Sequence, residues 1–333
     1  MISTAPGDRK RRRSVCYIEP LNRDSHSIAS CGGLQWVECR ALQRYRWLLH
    51  AFSTRRGKKG RGATRDLNLG FRESQARAPV EKNRRLFFEA VGAGNLTLAT
   101  LQQVHSTHIF RVERLRRTGI EYFPAGSARP LARGKRLPVG DALITQQPGI
   151  LLSVRTADCL PILLIDPVHR AVAALHAGWR GTLGRLAEKV VGVMRGQFHS
   201  DPRRMIAVIG PGIRACCYSV GEEVVSAFRG RFVASESFFR PVPSSDPRAT
   251  PTAPYPLQFL STYPPGHAPT HLPTAHLDLA AAIQNQLQGA GLVPSRIHDV
   301  GLCTSCRTDL FFSHRQEGPR TGRMMAMIAI RND

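Results

Sequence analysis

Three short, continuous apolar runs constrain this chain more than any other feature: Ile150 to Val154 (ILLSV), Pro161 to Ile165 (PILLI) and Ala171 to Leu175 (AVAAL). Runs of this length without polar alternation suit strands buried on both faces. A sheet with no wet face must be covered on both sides, so the chain has to build layers. Behind the third run, Leu183, Leu186, Val190 and Met194 recur at helical spacing, with Thr182 as the expected N-cap. Met205 to Ile209 reads as a further strand, Gly221 to Phe228 and Asp278 to Leu287 as helices, and Ile297 to Leu302 and Met324 to Ile330 as closing strands. Strands and helices follow in mixed order. The expected class is therefore α+β (mixed α/β), a layered sandwich of mixed buried sheets with flanking helices, and not a regularly alternating Rossmann pattern.

With 333 residues, 42% of them hydrophobic, the chain can bury a large core without disulfides. No apolar run approaches the roughly 18 residues of a membrane-spanning helix, and the basic start MISTAPGDRKRRR has no apolar segment behind it. A cytoplasmic protein with reduced cysteines is expected. The expected organisation is a disordered basic arm over 1–35 and a single catalytic domain over 36–333. A proline-rich stretch at about 240–274 is expected to be irregular, an insertion or lid. Ala125 to Val139 reads as a surface loop.

The formal net charge is +23. Such a field gives weak affinity for any polyanion and suits anionic substrates such as phosphate. A dedicated nucleic-acid partner is not expected. Aromatics make up only 7% of the chain, and the arginines are scattered instead of interleaved with stacking aromatics on strands.

Three segments each deliver a metal-ligand side chain at what reads as the end of an apolar strand: LQQVH ends at His105, SVRTADC at Cys159 and AALH at His176. Two imidazoles and a thiolate supply three ligands for tetrahedral zinc and leave a fourth position open, as a catalytic site requires. Each residue alone has a plainer reading, a hydrogen-bonded core histidine or a small buried cysteine. Gly178 and Gly181, flanking Trp179 and Arg180, would let backbone approach a ligand at a helix start, with Arg180 facing an anion. Gly210 to Gly212, followed by Arg214, is a second and weaker cradle. Asp141 and Asp158 are the carboxylates expected to orient ligands or handle protons. Cys303 and Cys306 form a lone CxxC, and Cys216 and Cys217 are adjacent in sequence. Neither pair reads by itself as a zinc site.

At these residues the sequence resembles the YfiH-like laccase-domain family, whose members have been described as purine nucleoside phosphorylases and earlier as multicopper polyphenol oxidases. The resemblance is carried by QVH at Gln103 to His105, DALIT at Asp141 to Thr145, TADCLPILL at Thr156 to Leu164 and HAGWRGTL at His176 to Leu183. FSTR, LNLG, IGPGIRACCYSVG, LDLAAAIQNQL, CTSC, FFSHR and TGRMMAMIAI flank them in family order. The family's zinc ligands fall on His105, Cys159 and His176. The resemblance implies a zinc-dependent enzyme that phosphorolyses adenosine, inosine and methylthioadenosine and also deaminates adenosine. Arg180, Arg55 and Arg323 are the inferred phosphate-binding residues. Ser106 departs from the family's usual glycine, and CTSC from a commoner CTYC. Copper is not expected, because the paired His-x-His motifs of a trinuclear cluster are missing from the sequence. The alternative reading makes Cys159 a nucleophile and His176 its base, in an amidase or hydrolase that edits cell-wall peptides. A non-enzymatic polyanion binder is the third.

Overall fold

The computed structural model describes residues 25–60, 63–71, 76–115, 119–132, 136–241 and 275–332. Most of the expected basic arm and of the proline-rich insertion lies outside the described residues. In chain order the strands are His26–Cys31 (β1), Leu34–Cys39 (β2), Leu48–Ser53 (β3), Arg56–Gly60 (β4), Ala63–Asp66 (β5), Thr97–Ala99 (β6), Ile109–Leu115 (β7), Gly119–Pro124 (β8) and Ala142–Thr145 (β9). They continue with Ile150–Thr156 (β10), Leu160–Asp166 (β11), Ala171–Ala177 (β12), Ile206–Ile209 (β13), Ser219–Val220 (β14), Phe239–Arg240 (β15), Ala275–Leu277 (β16), Ile297–Asp299 (β17) and Met324–Ile330 (β18). The helices are Arg77–Ala90 (α1), Trp179–Leu183 (α2), Leu186–Phe198 (α3), Glu222–Arg229 (α4), Leu279–Gly289 (α5) and His314–Glu317 (α6).

Two large sheets carry the fold. One is six-stranded in the order β1-β2-β3-β18-β10-β6, the other seven-stranded in the order β17-β13-β11-β12-β9-β7-β8. Side chains alternate across each strand and so feed different layers. In β18, Met324, Ala326, Ile328 and Ile330 enter the core between the sheets, while Met325, Met327 and Ala329 join Phe87 of α1 on the outer face. In β11, Leu163 and Ile165 face inward, and Leu160, Ile162 and Leu164 meet Val190 and Met194 of α3 and Ile283 and Leu287 of α5. The result is four layers, helix, sheet, sheet, helix, with the apolar runs of β10, β11 and β12 buried on both faces. At about 1.5–3 kcal/mol per fully buried large aliphatic or aromatic side chain, these layers are the main stabilising term.

Local details depart from the sequence reading. The helix behind β12 is broken into α2 and α3 at Gly184 and Arg185, and Arg185 takes a left-handed conformation before α3 begins. Thr182 therefore lies inside α2 and caps nothing; Gly178 holds the N-cap position. Asp278 does cap α5, accepting from the Ala281 amide. β17 stops at Asp299, short of Leu302. Arg240 is paired, opposite His276, where irregular chain was expected to begin. Among the described residues no helix is long and apolar enough to cross a membrane.

Candidate active site

His105, Cys159 and His176 come together, with their ligand atoms all within 4.8 Å of one another. Cys159 Sγ is 3.6 Å from His105 Nε2, and the two imidazole rings lie 4.9 Å apart. Only His176 arrives on a strand, near the end of β12. His105 stands in the irregular connection after β6, and Cys159 in the turn between β10 and β11. Two of the three expected strand ends are thus loops. Turns allow the backbone that these positions use: His105 has φ 60°, and Asp158, which precedes Cys159, has φ 93°.

Asp141 organises this loop. Its carboxylate accepts from three successive amides, Val104 at 3.3 Å, His105 at 3.1 Å and Ser106 at 2.6 Å, and from the Ser106 hydroxyl at 2.8 Å. It also pairs with His176 Nδ1 at 2.8 Å, leaving Nε2 as the ligand nitrogen. Burial opposes ionisation of Asp141, yet the bonds from His176 and Ser106 outweigh it and hold the carboxyl below its usual range. The serine at position 106 is thus a working member of the loop, and its hydroxyl also accepts from the His108 amide. Gln103 ties the same segment to β10 through reciprocal 2.8 Å bonds with the Arg155 backbone.

The thiol is tuned by its neighbours. Burial raises Cys159, but the charges and hydrogen bonds of His176 and His105 prevail and bring it down to about 6. His176 is correspondingly raised to about 9, with the Cys159 thiolate and Asp141 overcoming burial. This pair therefore favours a thiolate beside a protonated His176, and a divalent metal that takes both as ligands displaces the imidazolium proton. A methyl group at Gly178 would fall 2.9 Å from both Cys159 Sγ and His105 Cδ2, so the glycine makes room for the ligand cluster. The donor set, its closeness and this cradle all fit a tetrahedral metal with an open position.

Other expected residues have different surroundings. Asp158 is buried and accepts from Thr304 Oγ1 at 2.6 Å and the Arg315 amide at 2.6 Å, so it braces loops; burial raises its pKa. Arg55 is engaged by Asp66 at 2.8 Å and Glu317 at 2.6 Å and lies over the Phe312 ring. Two carboxylates already neutralise it. Arg180 stacks on Trp179. Arg323 donates to the Thr321 and Gly322 carbonyls, and its charge, after burial, lowers the pKa of Arg155. Gly210 and Gly212 serve packing, against Phe52 and against Leu160 and the Asp158 carbonyl respectively, and Arg214 pairs with Asp299.

Sequence reasoning passed over Arg155, Tyr218 and His314. His314 is lowered by burial first and then by Arg323, with Asp158, Arg315 and His105 also acting on it. Burial raises the Tyr218 phenol, on which Arg315, Cys159, Asp158 and Arg180 act in turn. The FFSHR and CCYSVG segments contained the signal for two of them.

The chain is 32% identical over 298 residues to a purine nucleoside phosphorylase YlmD of Geobacillus stearothermophilus, covering 90% of this chain and 95% of that protein. It is also 32% identical over 282 residues to an adenosine deaminase RL5 from an unknown prokaryotic organism, covering 84% and 93%. The crystal structure of the Geobacillus YlmD matches with a TM-score of 0.69 at 30% identity, over 93% of this chain and all of that one. The Bacillus licheniformis protein YfiH matches with a TM-score of 0.70 at 25% identity, over 91% and 99%. Residues 49–331 match the family described as multi-copper polyphenol oxidoreductase laccase, and the chain belongs to that family.

Proposed function

We propose that this chain is a zinc-dependent purine nucleoside phosphorylase of the cytoplasm, acting on adenosine, inosine and methylthioadenosine, with adenosine deamination as a companion activity. The observation that carries the reading is the His105, Cys159, His176 cluster with Asp141 behind it. The activities for which its relatives are named, phosphorylase and deaminase, support the substrate class. Zinc held by these three side chains would supply Lewis-acid chemistry beside the substrate.

The chain's own residues do the rest. Arg323, Arg155 and Arg180 bind the phosphate through charge-assisted hydrogen bonds; phosphate would offset the burial and the Arg323 charge that together depress Arg155. His314, whose pKa is lowered by burial and then by Arg323, can accept or give a proton at a purine nitrogen as the glycosidic bond breaks. Asp141 keeps His176 in one tautomer, and Asp158 holds the turn that presents Cys159.

A second reading has one specific support, the lowered Cys159 thiol beside a raised His176, which is also the pattern of a nucleophile and its base in an amide hydrolase that edits cell-wall peptides. Product analysis separates the two. Purified, metal-assayed enzyme is given adenosine or inosine with and without phosphate, beside Cys159→Ala. Phosphate-dependent release of adenine or hypoxanthine, abolished in the variant, is expected, with inosine appearing from adenosine. No nucleoside turnover despite stoichiometric zinc would sink the proposal, and alkylation of Cys159 in the native enzyme would favour the hydrolase.

A further inference from the structure

We propose a second metal site, distinct from the first, in which Cys216, Cys217, Cys303 and Cys306 bind one zinc ion as four thiolates. In sequence these are two unremarkable pairs. The fold brings them together because β13 and β17 lie side by side and parallel, with Ile209 opposite Asp299. Each strand runs into a turn that carries two cysteines.

The turns are stitched to each other by backbone. Gly212 pairs with Cys303, the Gly212 amide donates to the Leu302 carbonyl at 3.2 Å, and the Thr304 amide donates to the Gly212 carbonyl at 3.1 Å. Each turn is also closed on itself, by the Cys217 and Tyr218 amides on the Arg214 carbonyl and by the Arg307 amide on the Cys303 carbonyl. The four sulfurs are therefore held by structure that does not depend on them. Cys306 Sγ lies 3.4 Å from Cys216 Sγ and 3.3 Å from Cys217 Sγ, and all four sulfurs fall within 4.8 Å of one another. A tetrahedral zinc with Zn–S near 2.3 Å needs sulfurs about 3.8 Å apart, within the span of this cluster.

Packing agrees with a shielded ion. Cys217 and Cys303 are buried with Ile213, and Tyr218 and Cys306 close over them, while Cys216 is exposed and gives entry from solvent. Disulfides account for the cluster less well, because all four are free thiols and Cys306 lies almost equally close to two of them, as in a shared ligand sphere and not a chosen pair. Four thiols bind one Zn2+ and release four protons, with no oxidant or reductant required. No position remains for substrate, so the site is structural.

Its place gives it a purpose. Thr304, next to Cys303, donates to the Asp158 carboxylate, and the Ile213 amide donates to the Asp158 carbonyl at 2.7 Å. The four-cysteine knot thus backs the turn that presents Cys159. The test uses the full chain, purified under reducing conditions without chelator. Metal analysis is expected to find two zinc ions per chain in the wild type, one in His105→Ala and one in the Cys303→Ser, Cys306→Ser double variant. Cobalt loaded into the His105→Ala chain is expected to show the strong sulfur-to-metal absorption of four thiolates, weakened in a further Cys216→Ser variant that alters only the exposed ligand. If the double variant does not fold, this cobalt spectrum of the folded chains decides. A single zinc in the wild type, lost in His105→Ala, would overturn the proposal, as would non-reducing peptide mapping that finds these cysteines in disulfides. Iron in place of zinc would overturn the choice of metal.

Discussion

Gly178 shows how much a single position decides. Its φ of −83° is ordinary for any residue, so alanine would suffer no backbone strain. The cost is steric, because the added methyl would meet a ligand sulfur and a ligand ring at 2.9 Å. Metal sites tolerate displacements of only about 0.5 Å. Gly178→Ala is therefore expected to weaken metal binding at least about tenfold, ~1.4 kcal/mol, with little change in thermal stability of the metal-free chain. Equilibrium dialysis against a zinc buffer checks the first, and calorimetry of the stripped protein the second. The sequence made the candidate trio legible because two histidines and a cysteine form a ligand set together and the family motifs frame them. It did not make Arg55 legible: an arginine in a motif says nothing of the carboxylates, here Asp66 and Glu317, that the fold brings to it.

At the scale of elements, the β2 and β3 pair carries a buried titration. His50 accepts a 2.9 Å hydrogen bond from the Cys39 amide through Nε2, and burial, partly opposed by Glu38, lowers its pKa from 6.5 to about 4. As pH falls the unfolded chain takes this proton first, so the contribution is complete above about pH 6.5 and is lost between there and pH 4. Between pH 7.5 and 5 the loss from this residue is ~2 kcal/mol. His50→Gln, which keeps an acceptor but cannot titrate, is expected to flatten that part of the stability curve in urea melts at the two pH values; equal slopes in both proteins would refute the assignment. Elements were the best-read scale. β18 and the strand cores of β10, β11 and β12 follow directly from apolar runs, because burial on both faces leaves no other use for them. The break between α2 and α3 was hidden, since an apolar spacing carries across one left-handed residue. The four-cysteine cluster was hidden more deeply, because it depends on which two strands lie next to each other.

Across the whole molecule, the +23 charge acts at longer range than any one site. Retention on an anionic matrix such as heparin is expected, falling steeply with salt and equal for wild type and His105→Ala. A loss of retention confined to the variant would instead tie polyanion binding to the ligand cluster. The order of strands in the six-stranded sheet has its own consequence. β18 sits between β3 and β10, so both neighbours expose a row of unsatisfied amides and carbonyls until it docks. During synthesis, the segments that flank this gap emerge long before the strand that fills it. From the emergence of β10 at residues 150–156 until β18 follows at 324–330, two strand edges wait unpaired, and this long-range pairing sets the sheet's closure late in assembly.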